Sequence, residues 1–147
     1  NFVVEKDPGM IPGVLAQILD SCVNGVTLSD PDLADNPIIY VNEIFERMTG
    51  YSRDEILGRN CRFLQGDDRD QDALEEIRAA MAEQRPVEVT LRNYRQDGVL
   101  FYNRLSIRPL LDPDGKVIYY LGVQYDVTEQ VEAQQEIERL TRLLGQA

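Results

Sequence analysis

The chain has 147 residues and a net charge of −11, from 26 acidic and 15 basic side chains. That length fits one compact domain with flanking helices, and the acidic balance opposes contact with nucleic acid or an anionic membrane. Hydrophobic residues make up 43%, too many for a disordered chain, and histidine is absent, which removes Cys-His and Ser-His catalysis, His-ligated haem and most zinc sites.

No run of about 18 apolar residues is present, and no signal-peptide pattern, so the expected compartment is the cytosol. The chain begins at Asn1 rather than Met, as a piece of a longer protein would. The two cysteines, Cys22 and Cys61, do not make a disulfide framework.

In chain order, Met10 or Ile11, Val14 or Leu15, Ile18 or Leu19 and Cys22 recur at helical spacing and predict a flanking helix over about Pro8–Asn24. Gly25–Ser29 and Ile38–Val41 read as strands separated by a turn-rich stretch. Asn42 can cap a short helix that Gly50 ends, and Ser52 to Glu55 fits a capping box. A helix over Asp70–Glu83 puts Leu74, Ile77 and Met81 on one face. Strands over about Pro86–Tyr94, Val99–Leu110 and Lys116–Asp126 follow, with Asp97-Gly98 and Pro113-Asp114-Gly115 at the turns, as an antiparallel meander. Thr128 can cap a last helix to about Leu144. The order describes an α+β domain: one antiparallel sheet with the middle helices on one face.

Strand alternation supplies the first functional signal. Asn93 shares a face with Val87, Val89 and Leu91; Asn103 with Phe101, Leu105 and Ile107; Gln124 with Ile118, Tyr120 and Gly122. A buried amide without partners costs about 1–3 kcal/mol. The amides either pair with one another and with backbone, or meet the edge of a heteroaromatic ring bearing alternating C=O and N–H groups. Gly122 leaves room beside its strand for a flat ligand.

Cys61 lies in Gly58-Arg59-Asn60-Cys61-Arg62-Phe63-Leu64-Gln65-Gly66, between the middle helices. On its own such a cysteine reads as an inert small hydrophobe, although Arg62 beside it favours thiolate. Arg62 and Arg78 are candidates for holding an anion through the planar guanidinium fork. Spacing alone favours surface ion pairs for both.

The stretch Gly58–Gly66 resembles the flavin-binding motif of LOV domains, the blue-light branch of the PAS sensor family, in its bacterial type. The resemblance extends from about Gly25 to Thr128 through Asp35-Asn36-Pro37-Ile38-Ile39, Thr49-Gly50-Tyr51-Ser52, Arg92-Asn93-Tyr94, Asp97-Gly98, Phe101-Tyr102-Asn103 and Gly122-Val123-Gln124. It implies a PAS fold with a five-stranded antiparallel sheet, divided as a flanking helix (1–24), a core (25–127) and a signalling helix (128–147). It implies FMN, rather than FAD or riboflavin, bound non-covalently. Blue light would drive the Cys61 thiol onto the flavin C4a carbon in a reversible adduct, with a proton gained at N5.

By the same resemblance, Asn93 and Asn103 bond the pyrimidine edge. Gln124 sits beside O4 and N5 and relays the signal. Asn36, Asn60 and Gln65 are further polar positions, and Arg62 and Arg78 hold the phosphate. Leu64, Met81, Leu105, Ile107 and Tyr120 line the ring or its side chain, beside Gly122. Thr27 and Ser29 stand where the family often has valine and threonine near the ring, and Tyr120 where phenylalanine is common. These departures bear on how long the adduct lasts.

The last helix carries an a/d seam of Gln130, Ala133, Ile137, Leu140, Leu144 and Ala147. It is expected either to join a homodimer together with the first helix or to fold back on the sheet. The expected role is a sensor rather than an enzyme, with no metal and with any effector outside the chain. The alternative is a PAS-type dimerisation or interaction module without photochemistry.

Overall fold

The computed structural model describes residues 23–146. Ala147, Cys22 and nearly all of the expected first helix lie outside the described residues; Val23 and Asn24, its expected last two, form a bend. The elements are β1 (Gly25–Ser29), β2 (Ile38–Val41), α1 (Glu43–Thr49), α2 (Arg53–Ile56), a 3-10 helix (Cys61–Gln65), α3 (Asp72–Glu83), β3 (Val87–Tyr94), β4 (Leu100–Leu111), β5 (Val117–Asp126) and α4 (Thr128–Gly145). The strands form one five-stranded sheet in the order β2-β1-β5-β4-β3. Every neighbouring pair is antiparallel. The first and last strands therefore lie side by side, and the helical arm between β2 and β3 crosses one face. No helix among the described residues is long and apolar enough to cross a membrane.

Two single carboxamides tie the arm to the sheet. At the start, Asn42 is fully buried. Its Oδ1 accepts from the backbone N–H of Val26 (2.9 Å) and of Phe45 (3.1 Å), and its Nδ2 donates to the Asn24 carbonyl (2.8 Å). One side chain thus caps α1 and fastens it to β1. Gly50 ends α1 at φ 77°, a left-handed conformation that suits glycine. Ser52 accepts from the Glu55 N–H at 3.4 Å, as the capping box requires.

Just before α3, Gln71 is buried and pairs like a short strand with the free edge of β3. Its Oε1 accepts from Arg92 N (2.8 Å), and its Nε2 donates to Arg92 O (3.0 Å) and Asp68 O (2.7 Å). This use of Gln71 is why α3 starts at Asp72 rather than at Asp70. The Arg92 guanidinium also holds Asp68 through two bonds of 2.7 and 2.8 Å, and the Tyr94 hydroxyl donates to the same carboxylate at 2.7 Å.

The buried side chains form separate clusters. Leu74, Val89, Leu91, Leu105, Ile107, Val117 and Tyr120 pack between α3 and the sheet. Ile38, Val41, Phe45, Ile56 and Leu64 pack under α1, α2 and the 3-10 helix. Val26, Leu28, Tyr40, Leu110, Ile118 and Tyr119 form a third cluster, on the opposite sheet face, because Val26 and Leu28 alternate with Thr27.

Two expectations are corrected here. Ile118 does not share the face of Tyr120; it joins Tyr119 in the third cluster, and Val117 takes its place. The cause is a register shift between Leu110 and Leu111 that leaves Ile118 as the extra residue. Thr128 is not the side-chain cap of α4. Its hydroxyl accepts from Tyr102 N at 2.9 Å and bonds Asp126, while Asp126 Oδ1 accepts from the Thr128 N–H at 3.0 Å. The helix start is thereby anchored to β4. Beyond it, α4 buries no residue, and Ile137, Leu140, Leu143 and Leu144 are exposed.

Replacing Gln71 with Ala strands both backbone groups of Arg92 at a part-buried edge. Urea unfolding should show a loss of about 1–3 kcal/mol. The bonds from Arg92 and Tyr94 hold the Asp68 carboxyl at about 2, below its unfolded value. Its contribution is therefore complete above the ordinary carboxylate range and lost as pH falls toward the folded value. Thermal melts should show wild type losing stability more steeply than Asp68→Asn between about pH 5 and pH 2.

Candidate functional site

Between the sheet and the helical arm lies a cavity of about 740 Å³, within the ~300–1,000 Å³ of small-molecule sites. The sheet contributes Thr27 and Ser29 from β1, Asn93 from β3, Asn103, Leu105 and Ile107 from β4, and Tyr120, Gly122 and Gln124 from β5. The arm contributes Asn60, Cys61, Arg62, Leu64 and Gln65, and α3 adds Arg78 and Met81. Asn36 reaches the wall from the loop before β2. Asp35 and Asn36 both have left-handed φ, 67° and 47°, a conformation Asp and Asn tolerate better than most residues. Every residue expected at the site thus lines one cavity.

The cavity also takes in Asp35, Ile38, Phe45, Arg69, Leu74, Ile77 and Leu91, none of which was expected at the site. Leu91 shares the Asn93 face, and Leu74 and Ile77 share the Met81 face, so alternation and helical spacing carried a signal for those three. Arg69 lies in an irregular turn, where no periodicity marks it. Its Nε donates to the Gly66 carbonyl at 2.9 Å.

The connection predicted between the middle helices carries the 3-10 helix with Cys61 at its first position. Asn60 builds that position: its Oδ1 accepts from Arg62 N at 3.0 Å, and its Nδ2 donates to Asp35 O at 2.7 Å. Cys61 is exposed by surface area, and it lines the cavity wall. Burial among the surrounding protein atoms still pushes its thiol up, outweighing the lowering by Arg62. The side chain is therefore a neutral thiol near pH 7, which carries its own proton. Arg62 itself forms an ion pair with Asp35. Three exposed arginines, Arg62, Arg69 and Arg78, stand on the wall of one cavity in a strongly acidic chain.

The amides are partly paired. Asn103 Nδ2 donates to Asn93 Oδ1 at 3.0 Å, and Asn93 Nδ2 donates to the Arg92 carbonyl at 3.0 Å. Gln124 Nε2 donates to the Thr27 hydroxyl at 3.1 Å. Among the described residues, three buried acceptors remain without a protein partner: Asn36 Oδ1, Asn103 Oδ1 and Gln124 Oε1. All three belong to cavity-lining residues, and each leaves an acceptor to be satisfied by a donor such as a ring N–H. Burial pushes the Tyr120 phenol up, so it stays neutral near pH 7.

A PAS domain family model matches residues 23–129. A bacterioopsin transcriptional activator of Halobacterium salinarum is 48% identical over 122 residues, covering 83% of this chain and 18% of that protein. A blue-light photoreceptor of Listeria monocytogenes is 45% identical over 126 residues, covering 86% of this chain and 49% of that protein. This chain thus spans half or less of the length of these relatives. Among solved structures, an RNA-binding light-oxygen-voltage receptor superposes with a TM-score of 0.82 at 38% identity, covering 97% of this chain and 41% of that one. The LOV domain of an Erythrobacter litoralis blue-light-activated histidine kinase gives a TM-score of 0.69 at 46% identity, covering 73% of this chain and 98% of that one. With this fold, this cavity and these relatives, the chain belongs to the PAS family and, within it, to the light-oxygen-voltage (LOV) domains.

Proposed function

We propose that this domain senses blue light through a flavin held in the cavity and passes the event to its terminal helices. The observation that carries this reading is that one thiol on the helical arm and two sheet amides with unpartnered oxygens, Asn103 and Gln124, belong to residues lining a single cavity. A bound flavin supplies blue-light absorption and an electrophilic ring carbon. Cys61 holds the thiol at the cavity wall, where its sulfur would add to that carbon while its proton would pass to the neighbouring ring nitrogen; thermal cleavage of the new bond would return the proton to the thiol.

Asn93 and Asn103 hold the polar edge of the ring. Leu105, Ile107 and Leu64 exclude water from it. Arg62, Arg78 and Arg69 favour a flavin bearing a phosphate, hence FMN over riboflavin, because the fork of a guanidinium matches phosphate oxygens. Asp35 offers Arg62 a carboxylate partner that a phosphate displaces.

The output runs through β5. Gln124 lies two residues before Asp126, which pairs with Arg95 at 2.6 Å and anchors the start of α4. A changed bond at Gln124 has a short covalent route to that helix. The exposed Ile137, Leu140 and Leu144 form the seam through which α4 pairs in a homodimer. The chain acts as a sensor and not as an enzyme, and any effector, of the kinds named among the relatives, a histidine kinase or a transcriptional activator, is outside it. Its expected place is the cytoplasm, and its acidic charge argues against nucleic acid or membrane as partner.

Absorption spectra before and after blue light test the reading. Wild type should lose its blue band and recover it in the dark, while Cys61→Ala should bind flavin and keep its band. Because Cys61 reacts as a thiol, the bleaching yield should be flat across about pH 6–8. A colourless protein that takes up no flavin sinks the assignment. Leu140→Glu should shift the sedimentation of the dimer to that of a monomer without altering the bleach, since a charge cannot enter an apolar seam unpaired.

A further inference from the structure

Gln124 has a partner on β1 that neither alternation nor the LOV resemblance assigns. Its cross-strand neighbour is Gly25, which offers no side chain, and the residue two positions along β1 is Thr27, paired with Gly122. The carboxamide reaches diagonally to Thr27, a separation that long side chains span in an antiparallel pair. Gly122 makes this possible. A Cβ there would stand 2.5 Å from Thr27 Oγ1 and 2.7 Å from Gln124 Nε2, in the space where the two groups meet.

We infer that Thr27 is a positioning residue for Gln124: its hydroxyl holds the Nε2 end of the amide and thereby sets the Oε1 end as the one offered to the ligand. The inference rests on the flavin reading for its consequence and on geometry for its substance. Gln124 is 1% exposed, its Nε2 donates to Thr27 Oγ1 at 3.1 Å, and its Oε1 has no protein partner. An amide has one acceptor end and one donor end. With one of its two N–H donors given to Thr27, the amide is held with its acceptor end turned away from Thr27, and that end favours a ligand edge bearing N–H over one that offers only acceptors. A proton delivered from Cys61 to the ligand turns an acceptor into such a donor. Thr27 therefore biases Gln124 toward the light-driven state, and a residue without a hydroxyl leaves both ends of the amide free to compete.

The test compares Thr27→Val, which keeps the shape, with Thr27→Ser, which keeps the hydroxyl, each alone and with Gln124→Leu. In the dark protein, the side-chain NH2 resonances of Gln124, identified by their loss in Gln124→Leu, should move in Thr27→Val and hold their wild-type positions in Thr27→Ser. Thermal recovery after blue light should change about threefold or more in Thr27→Val, and that factor should vanish in the Gln124→Leu background, because Thr27 acts through the amide. Unmoved Gln124 resonances in Thr27→Val, or the same recovery factor with and without Gln124, overturn the inference. A wild type that binds no flavin or never bleaches sinks the proposed function instead, and the dark resonances still decide the role of Thr27.

Discussion

The need to satisfy amides on an otherwise apolar sheet face is the constraint from which this structure follows. Asn93, Asn103 and Gln124 are 2%, 2% and 1% exposed, where an unmet polar group costs about 1–3 kcal/mol. Mutual pairing meets part of the need: Asn103 to Asn93, Asn93 to backbone, Gln124 to Thr27. Asn103 and Gln124, whose carbonyl oxygens have no protein partner among the described residues, both line the cavity. Stability given up in that cavity is available to a ligand that brings the missing donors.

The arm bounds the cavity through two apolar clusters and two carboxamide ties to the sheet. Asn42 fixes the start of the arm to β1, and Gln71 fixes the stretch before α3 to the edge of β3. Between those ties the 3-10 helix presents Cys61 toward the sheet face. Gln71 also occupies backbone groups of an edge strand that would otherwise invite pairing with another chain.

Charge placement follows the same division. The chain is strongly acidic, yet Arg62, Arg69 and Arg78 line one wall. Surface ion pairs such as Arg62 with Asp35 contribute little to stability, so this pair does not account for three arginines gathered on one wall. Asp126, at the end of β5, pairs with Arg95 and accepts from the Thr128 N–H, which anchors the start of α4 to the last strand.

Local chemistry alone determined much of this molecule. Alternation marked the three amides, turn residues marked the meander, and Asn42 and Ser52 marked helix starts, because backbone geometry and capping act over a few residues. The Cys61 motif was legible because it is contiguous. Only the tertiary structure decided which amide ends stay unpartnered, that Arg69 joins Arg62 and Arg78, that Ile118 turns to the other face at a bulge, and that the Thr128 hydroxyl bonds β4 instead of capping its helix. Each of these depends on groups that meet from distant parts of the chain, as Thr27 meets Gln124 across 97 positions. No local period encodes such a meeting; it exists only once the first and last strands lie side by side.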